Sequence, residues 1–151
     1  LSQISFEGIY REVPSIAGAH HERMDGSGYP RGLKGEEIPL GSRIIAVADF
    51  FEAITAKRHY RDPMPYEDAI RALHAERGKH LDARVVDAFL DFLKQDADVF
   101  RAGQLTDDFV RRVFEIIWLS CIVACNGVES AQILQCIGEI SLTDIIFCNV
   151  P

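Results

Sequence analysis

The sequence predicts an all-α fold. Apolar residues recur every three or four positions in successive segments, the spacing that puts one face of a helix against a core. Residues that cap helices stand just ahead of several of these segments, and prolines and glycines punctuate the stretches between them.

From Phe6 to Arg23 an apolar pattern runs into a histidine pair, but Pro14 argues against one straight helix there. Met24 to Gly41 contains five glycines and two prolines and is expected to be a long structured loop. Ser42 is a good N-cap, and Ile44, Ile45, Val47, Ala48, Phe51 and Ile54 then predict a helix to about Lys57. Pro65 stands where the next helix would start. Ala69, Ile70 and Leu73 are its expected buried face, and Gly78 its expected end. Asp82 is the expected cap of a further helix with Val85, Val86, Phe89, Leu90 and Leu93 inward. Beyond Lys94, Thr106 is a candidate cap for a helix through Phe109, Val113, Phe114 and Ile117. The uncharged run from Ile116 to Val128 has 13 residues. A membrane span needs about 17–25, so no span is expected.

A chain of 151 residues suits one domain, with room for an appendage. Thirteen of its 16 Lys and Arg residues lie at or before Lys94, and none follows Arg112. All four cysteines, Cys121, Cys125, Cys136 and Cys148, lie in the tail without CxxC spacing. They read as small buried residues of a reducing cytoplasm, not as a zinc knuckle. The composition therefore divides the chain into residues 1–94 and a helical tail, 95–151, of different character. The tail's apolar run predicts self-association. A net charge of −7 argues against a general nucleic-acid surface, though a few arginines suffice for a phosphate pocket. The chain opens on Leu1 without a secretory signal and reads as a fragment or processed chain.

The residues most able to carry chemistry are His20 and His21. Neighbours on a helix point about 100° apart, so two such rings do not readily chelate one ion, but each can serve one of two adjacent ions. Asp49 lies in the apolar stretch Ile44-Ile45-Ala46-Val47-Ala48-Asp49-Phe50-Phe51. There it is either metal-bound or paired, or it lies on the solvent side of the helix. Arg58 and Arg61 are either phosphate-binding forks or solvated cations at a helix end. Glu22 and Asp25 each read as an acid that orients a ligand histidine or as one that caps the following turn. For Asp25 the turn is preferred. Gly28, Tyr29 and Pro30 look structural, and His74 and His80 read as plain surface residues.

The run His20-His21-Glu22-Arg23-Met24-Asp25-Gly26-Ser27-Gly28-Tyr29-Pro30 resembles the HHExxDGxGYP motif of the HD-GYP family. These are bacterial metal-dependent phosphodiesterases that degrade cyclic di-GMP. The resemblance covers roughly residues 1–94. It implies that His20, His21 and Asp49 are metal ligands, the last through the family's IIAVADxF segment. It implies two or three divalent ions, iron or manganese, in the complete site, and an attack on phosphorus by water that the metals activate. It also implies that Arg58 and Arg61 reach the substrate phosphates, although His59 stands where the family's TxxRPYR-like segment has proline. The Gly28-Tyr29-Pro30 turn borders the cleft and an interaction surface in that family.

The chain has no His-Asp dipeptide, so the resemblance implies the C-terminal half of such a domain, with little turnover by itself. The expected partners are cyclic di-GMP and, upstream, a diguanylate cyclase domain or a sensor or receiver domain. A non-catalytic cyclic di-GMP-binding or protein-interaction module is the alternative. A hemerythrin-like di-iron carrier is disfavoured because it needs further histidine and carboxylate ligands at helical spacing. A purely structural helical domain is disfavoured by the length of the match.

Overall fold

A computed structural model describes residues 11–95. Over that span the chain is helical, with α1 at Val13–Ala17, a 3-10 turn at Gly35–Glu37, α2 at Leu40–Thr55, α3 at Tyr66–Glu76 and α4 at Ala83–Gln95. Isolated β-bridges at Arg58–Arg61 and Arg77–Leu81 pinch two of the connections. The expected helix capped by Thr106, the apolar run and the cysteines lie outside the described residues. No described helix is long and apolar enough to cross a membrane.

Helices α2, α3 and α4 share one core. Ile44, Val47, Ala48 and Phe51 of α2 meet Ala69 and Leu73 of α3 and Val85, Val86, Phe89, Leu90 and Leu93 of α4, all buried. Ile45, Ile54 and Ile70 pack at its margin. Phe92 joins the core as well, although the inward set read from the sequence omits it. Phe51 meets Phe89 edge-on at 5.3 Å, a geometry that favours the rings' quadrupoles.

The helix ends follow local chemistry, with two departures from expectation. Helix α2 starts at Leu40, behind Pro39, instead of behind Ser42. Ser42 is buried within the helix, and its hydroxyl donates to the Ile16 carbonyl at 2.8 Å. The hydroxyl serves a tertiary contact that ties α1 to α2, which sequence-local capping rules do not foresee. Gly41 permits the same docking, since a Cβ there would come within 2.8 Å of Ile16 Cδ1. At its other end α2 stops at Thr55, short of Lys57, and the chain turns extended at Ala56. Pro65 does precede α3, and Gly78, at φ +70°, follows it. Asp82 does cap α4: its Oδ1 accepts the Arg84 amide at 2.8 Å.

Asp82 is also half of a buried ion pair. Arg43 Nη1 donates to Asp82 Oδ2 at 2.7 Å, and both side chains are buried. Glu36, on the 3-10 turn, bridges Arg43 at 3.0 Å and Arg84 at 2.6 Å. This network fastens the long loop to the N-terminal ends of α2 and α4.

Candidate functional site

The site is a cleft with three walls. One is the loop, with His20, His21, Glu22, Arg23 and Tyr29. The second is α2, with Ala46, Asp49, Phe50 and Ala53, which share a face because they lie three or four residues apart. The third is the α3–α4 corner, with Glu76, His80 and Leu81. The open space measures about 440 Å³, within the range of small-ligand sites.

The histidines are positioned by the chain just before them. His20 Nδ1 lies 2.7 Å from the Ala17 carbonyl, which can only accept, so Nδ1 is the donor and Nε2 takes no part in that bond. Backbone carbonyls orient metal-binding histidines in this way. The rings of His20 and His21 are tilted, 3.9 Å apart between centres. His21 stacks on Tyr29 at 4.8 Å.

That stack depends on how the glycine-rich turn folds back. The Tyr29 amide donates to the His21 carbonyl at 3.3 Å. Gly28 presses on the backbone of His21, Glu22 and Arg23, where a Cβ would come within 2.5–2.6 Å. Tyr29–Pro30 is a cis peptide. Tyr29 itself is 61% exposed, so the ring has a face toward solvent even while it covers His21.

The two acids of the motif turn out to be loop anchors. Glu22 is buried, and its oxygens accept the amides of Arg31 at 2.7 Å and Leu33 at 3.0 Å. Asp25 Oδ1 accepts the Ser27 hydroxyl at 2.7 Å and amide at 2.9 Å, an Asx-turn that also holds the carboxyl below its usual range. The turn-capping reading thus fits both residues.

His80 requires a correction. It lines the cleft, its Nδ1 contacts the Glu76 carboxylate, and its Nε2 lies 3.5 Å from Asp25 Oδ2. It is not a plain surface residue. Glu76, four residues earlier, was a legible sign; Asp25 was not, because only folding brings the loop to the corner. His74 is exposed, as expected.

The arginines stand outside the cleft lining. Arg58 and Arg61 exchange both backbone hydrogen bonds, at 3.1 and 3.2 Å, closing a tight turn around His59 and Tyr60. The connection is tight in spite of the histidine in place of proline. Arg58 Nη2 pairs with Glu52 at 2.7 Å, and Arg61 Nη2 donates to the Ala53 carbonyl. Both therefore flank the α2 wall, one turn beyond Asp49.

The donors suit a divalent transition metal in kind, since imidazole and carboxylate are its common ligands. The fold brings His20, His21 and Asp49 to one cleft from two elements. Among the described residues, no three or more of His, Cys, Asp and Glu are arranged to hold one ion. The walls thus present donors without closing a cage.

Comparison with known proteins gives the family. Residues 1–85 match the family described as HD domain. The chain belongs to that family. Over 86 residues, 57% of the chain, it is 51% identical to a cyclic di-GMP phosphodiesterase of Thermotoga maritima, and it covers 23% of that protein. It is 51% identical over 75 residues to a probable cyclic di-GMP phosphodiesterase of Vibrio cholerae, covering 50% of the chain and 17% of the relative. A 3′3′-cGAMP-specific phosphodiesterase of the same organism is 46% identical over 83 residues, 55% of the chain and 16% of the relative. The chain thus spans less than a quarter of the length of these curated relatives.

Proposed function

We propose that residues 1–94 are the C-terminal part of an HD-GYP domain and that the complete protein hydrolyses a phosphodiester bond of cyclic di-GMP. The residues after 94 are a separate tail. The observation that carries this reading is that His20, His21 and Asp49 line one cleft, with His20 oriented by the bond from its Nδ1 to the Ala17 carbonyl.

In the complete site these three residues hold divalent metal, iron or manganese, with the remaining ligands supplied from outside the described residues. Such ions supply Lewis acidity and lower the pKa of water. The chain's own part is to fix the imidazoles on the loop, to bring Asp49 to the same cleft, and to offer Arg58 and Arg61 to phosphate oxygens. Arginine suits that task because its planar fork matches phosphate geometry.

A second reading is a non-catalytic cyclic di-GMP-binding or protein-interaction module. The lack of a closed three-donor cage among the described residues favours it for the chain by itself. Metal analysis, dinucleotide binding and turnover on the purified chain separate the two. The chain is expected to bind Mn²⁺ weakly and to hydrolyse cyclic di-GMP little or not at all. Two fully occupied ions with multiple turnovers would overturn the view of it as a partial site. No affinity for either metal or cyclic dinucleotide would overturn the family function for this chain. The substrate panel includes 3′3′-cGAMP, because the named relatives divide between the two dinucleotides.

A further inference from the structure

The geometry points to His80 as a positioning residue: held by Glu76, it clasps Asp25 and so sets the loop that carries His20 and His21 against the α3–α4 corner. The inference rests on the proposed metal role of those histidines in one respect only, that loop position is read out as metal affinity.

Four observations carry it. First, His80 is held from behind. Its Nδ1 contacts the Glu76 carboxylate, and its own amide donates to the Glu76 carbonyl at 3.2 Å. Second, the corner on which it sits is closed by backbone hydrogen bonds. Lys79 and Leu81 also donate to the Glu76 carbonyl, each at 3.1 Å, and Gly78 donates to Leu81 at 2.8 Å. Third, its other edge faces the loop, with Nε2 3.5 Å from Asp25 Oδ2, an ion pair when the ring carries both protons, while Asp25 Oδ1 is engaged by Ser27. The Asp25 carboxylate thus has one oxygen for the turn and one for the corner. Fourth, the backbone runs the same way: the Met24 amide donates to the His80 carbonyl at 3.0 Å. Met24 and Asp25 therefore both lean on residue 80, three and four positions after His21. The side chain is three-quarters buried and lines the same cleft as the histidines.

A carboxylate–imidazole–carboxylate row is not a metal site of its own, because the two carboxylates face opposite nitrogens of one ring and no single ion reaches both. The row is better understood as orientation. Groups hydrogen-bonded directly to a metal ligand change metal affinity by about 10–100-fold when removed, and a clasp on the loop that carries the ligands is expected at the low end of that range.

The test uses the full chain with Mn²⁺ as probe, in wild type, His80→Ala, Asp25→Ala and the double variant, with His80→Gln as the conservative exchange. Metal affinity and amide hydrogen exchange are measured together, and α4 amides serve as the folding control. The expected result is about a tenfold loss of Mn²⁺ affinity in His80→Ala. Faster exchange at the Met24 and Tyr29 amides should accompany it, with α4 unchanged. Glutamine, which retains an N–H able to reach Asp25, should recover part of both. The double variant should lose no more than the worse single one, because the two residues act as one clasp.

Additive losses would overturn the pairing. Unchanged affinity in His80→Ala would overturn the positioning role, whatever the amides do. If the wild type binds no Mn²⁺, the metal reading fails on its own. The clasp then stands or falls on the amides: equal Met24 and Tyr29 protection in wild type and His80→Ala would refute it.

Discussion

Gly28→Ala tests the loop at its tightest point. A methyl at residue 28 would lie 2.5 Å from Glu22 Cα, 2.5 Å from Arg23 N and 2.6 Å from the His21 carbonyl oxygen. All three are backbone atoms, so no rotamer change relieves the clash. Ordinary carbon contacts settle at about 3.5–4.0 Å, so the turn must retreat by about 1 Å. The backbone at Gly28 is not left-handed, so the demand is for space alone. Overpacking of this kind costs about 1–3 kcal/mol. The motion has a clear direction, away from residues 21–23. It therefore stretches the Tyr29–His21 hydrogen bond, already 3.3 Å, and parts the two stacked rings. With a urea m-value of about 1–3 kcal/mol/M, the denaturation midpoint should fall by about 1 M. Tyr29 amide exchange should accelerate. A midpoint within the experimental error of wild type, together with unchanged Tyr29 protection, would refute this packing.

Three further outcomes are expected. Burial alone would raise the Asp82 carboxyl, but hydrogen bonds from Arg43 and from Arg84 outweigh it and hold the group below its usual range. Its folded pKa is thus below the unfolded value of about 3.9, so its stabilisation is present above that pH and lost as pH falls through the folded value. Asp82→Asn should cost about 3 kcal/mol at pH 7, because Arg43 stays buried with only Glu36 to face, and should flatten the acid limb of a stability–pH profile. Asp49→Ala should weaken Mn²⁺ binding and, in the complete protein, remove nearly all turnover, with circular dichroism unchanged. Arg58→Ala in the complete protein should raise KM and leave metal content intact; loss of metal on that change would show that the arginine has a different role.

Much of the fold was legible because its helices obey local rules. The apolar periods of α2, α3 and α4 identify most of the shared core, and Gly78 and Asp82 mark ends by backbone freedom and capping. The errors fall where a side chain answers to a distant partner. Ser42 has the right chemistry for a cap but bonds to Ile16, 26 residues away. His80 has a near partner in Glu76, yet its role in the cleft depends on Asp25, which no spacing rule connects to it. The motif residues His20, His21 and Asp49 were legible as a group only through resemblance, since pattern alone leaves a histidine pair and a helical aspartate ambiguous. Folding brings them to one cleft.

The pairing of Arg58 with Glu52 bears on how the α2 wall divides its work. Glu52 follows Asp49 by three residues, so one helical turn carries two carboxylates with different neighbours: Asp49 lines the cleft and Glu52 holds Arg58. Arg58 is 42% exposed, and an ion pair in that setting contributes about 0–1 kcal/mol. A phosphate oxygen can thus take Arg58 from Glu52 at small cost, provided the tight turn from Arg58 to Arg61 moves little. The turn itself is fixed to α2 by Arg61 on the Ala53 carbonyl, and Ala53 belongs to the cleft wall. On the proposed reading, Glu52 keeps Arg58 beside the cleft and away from the Asp49 carboxylate until a phosphate competes for it. That arrangement separates metal binding from substrate binding on a single helix, and it is the reason the two kinds of variant should differ in what they lose.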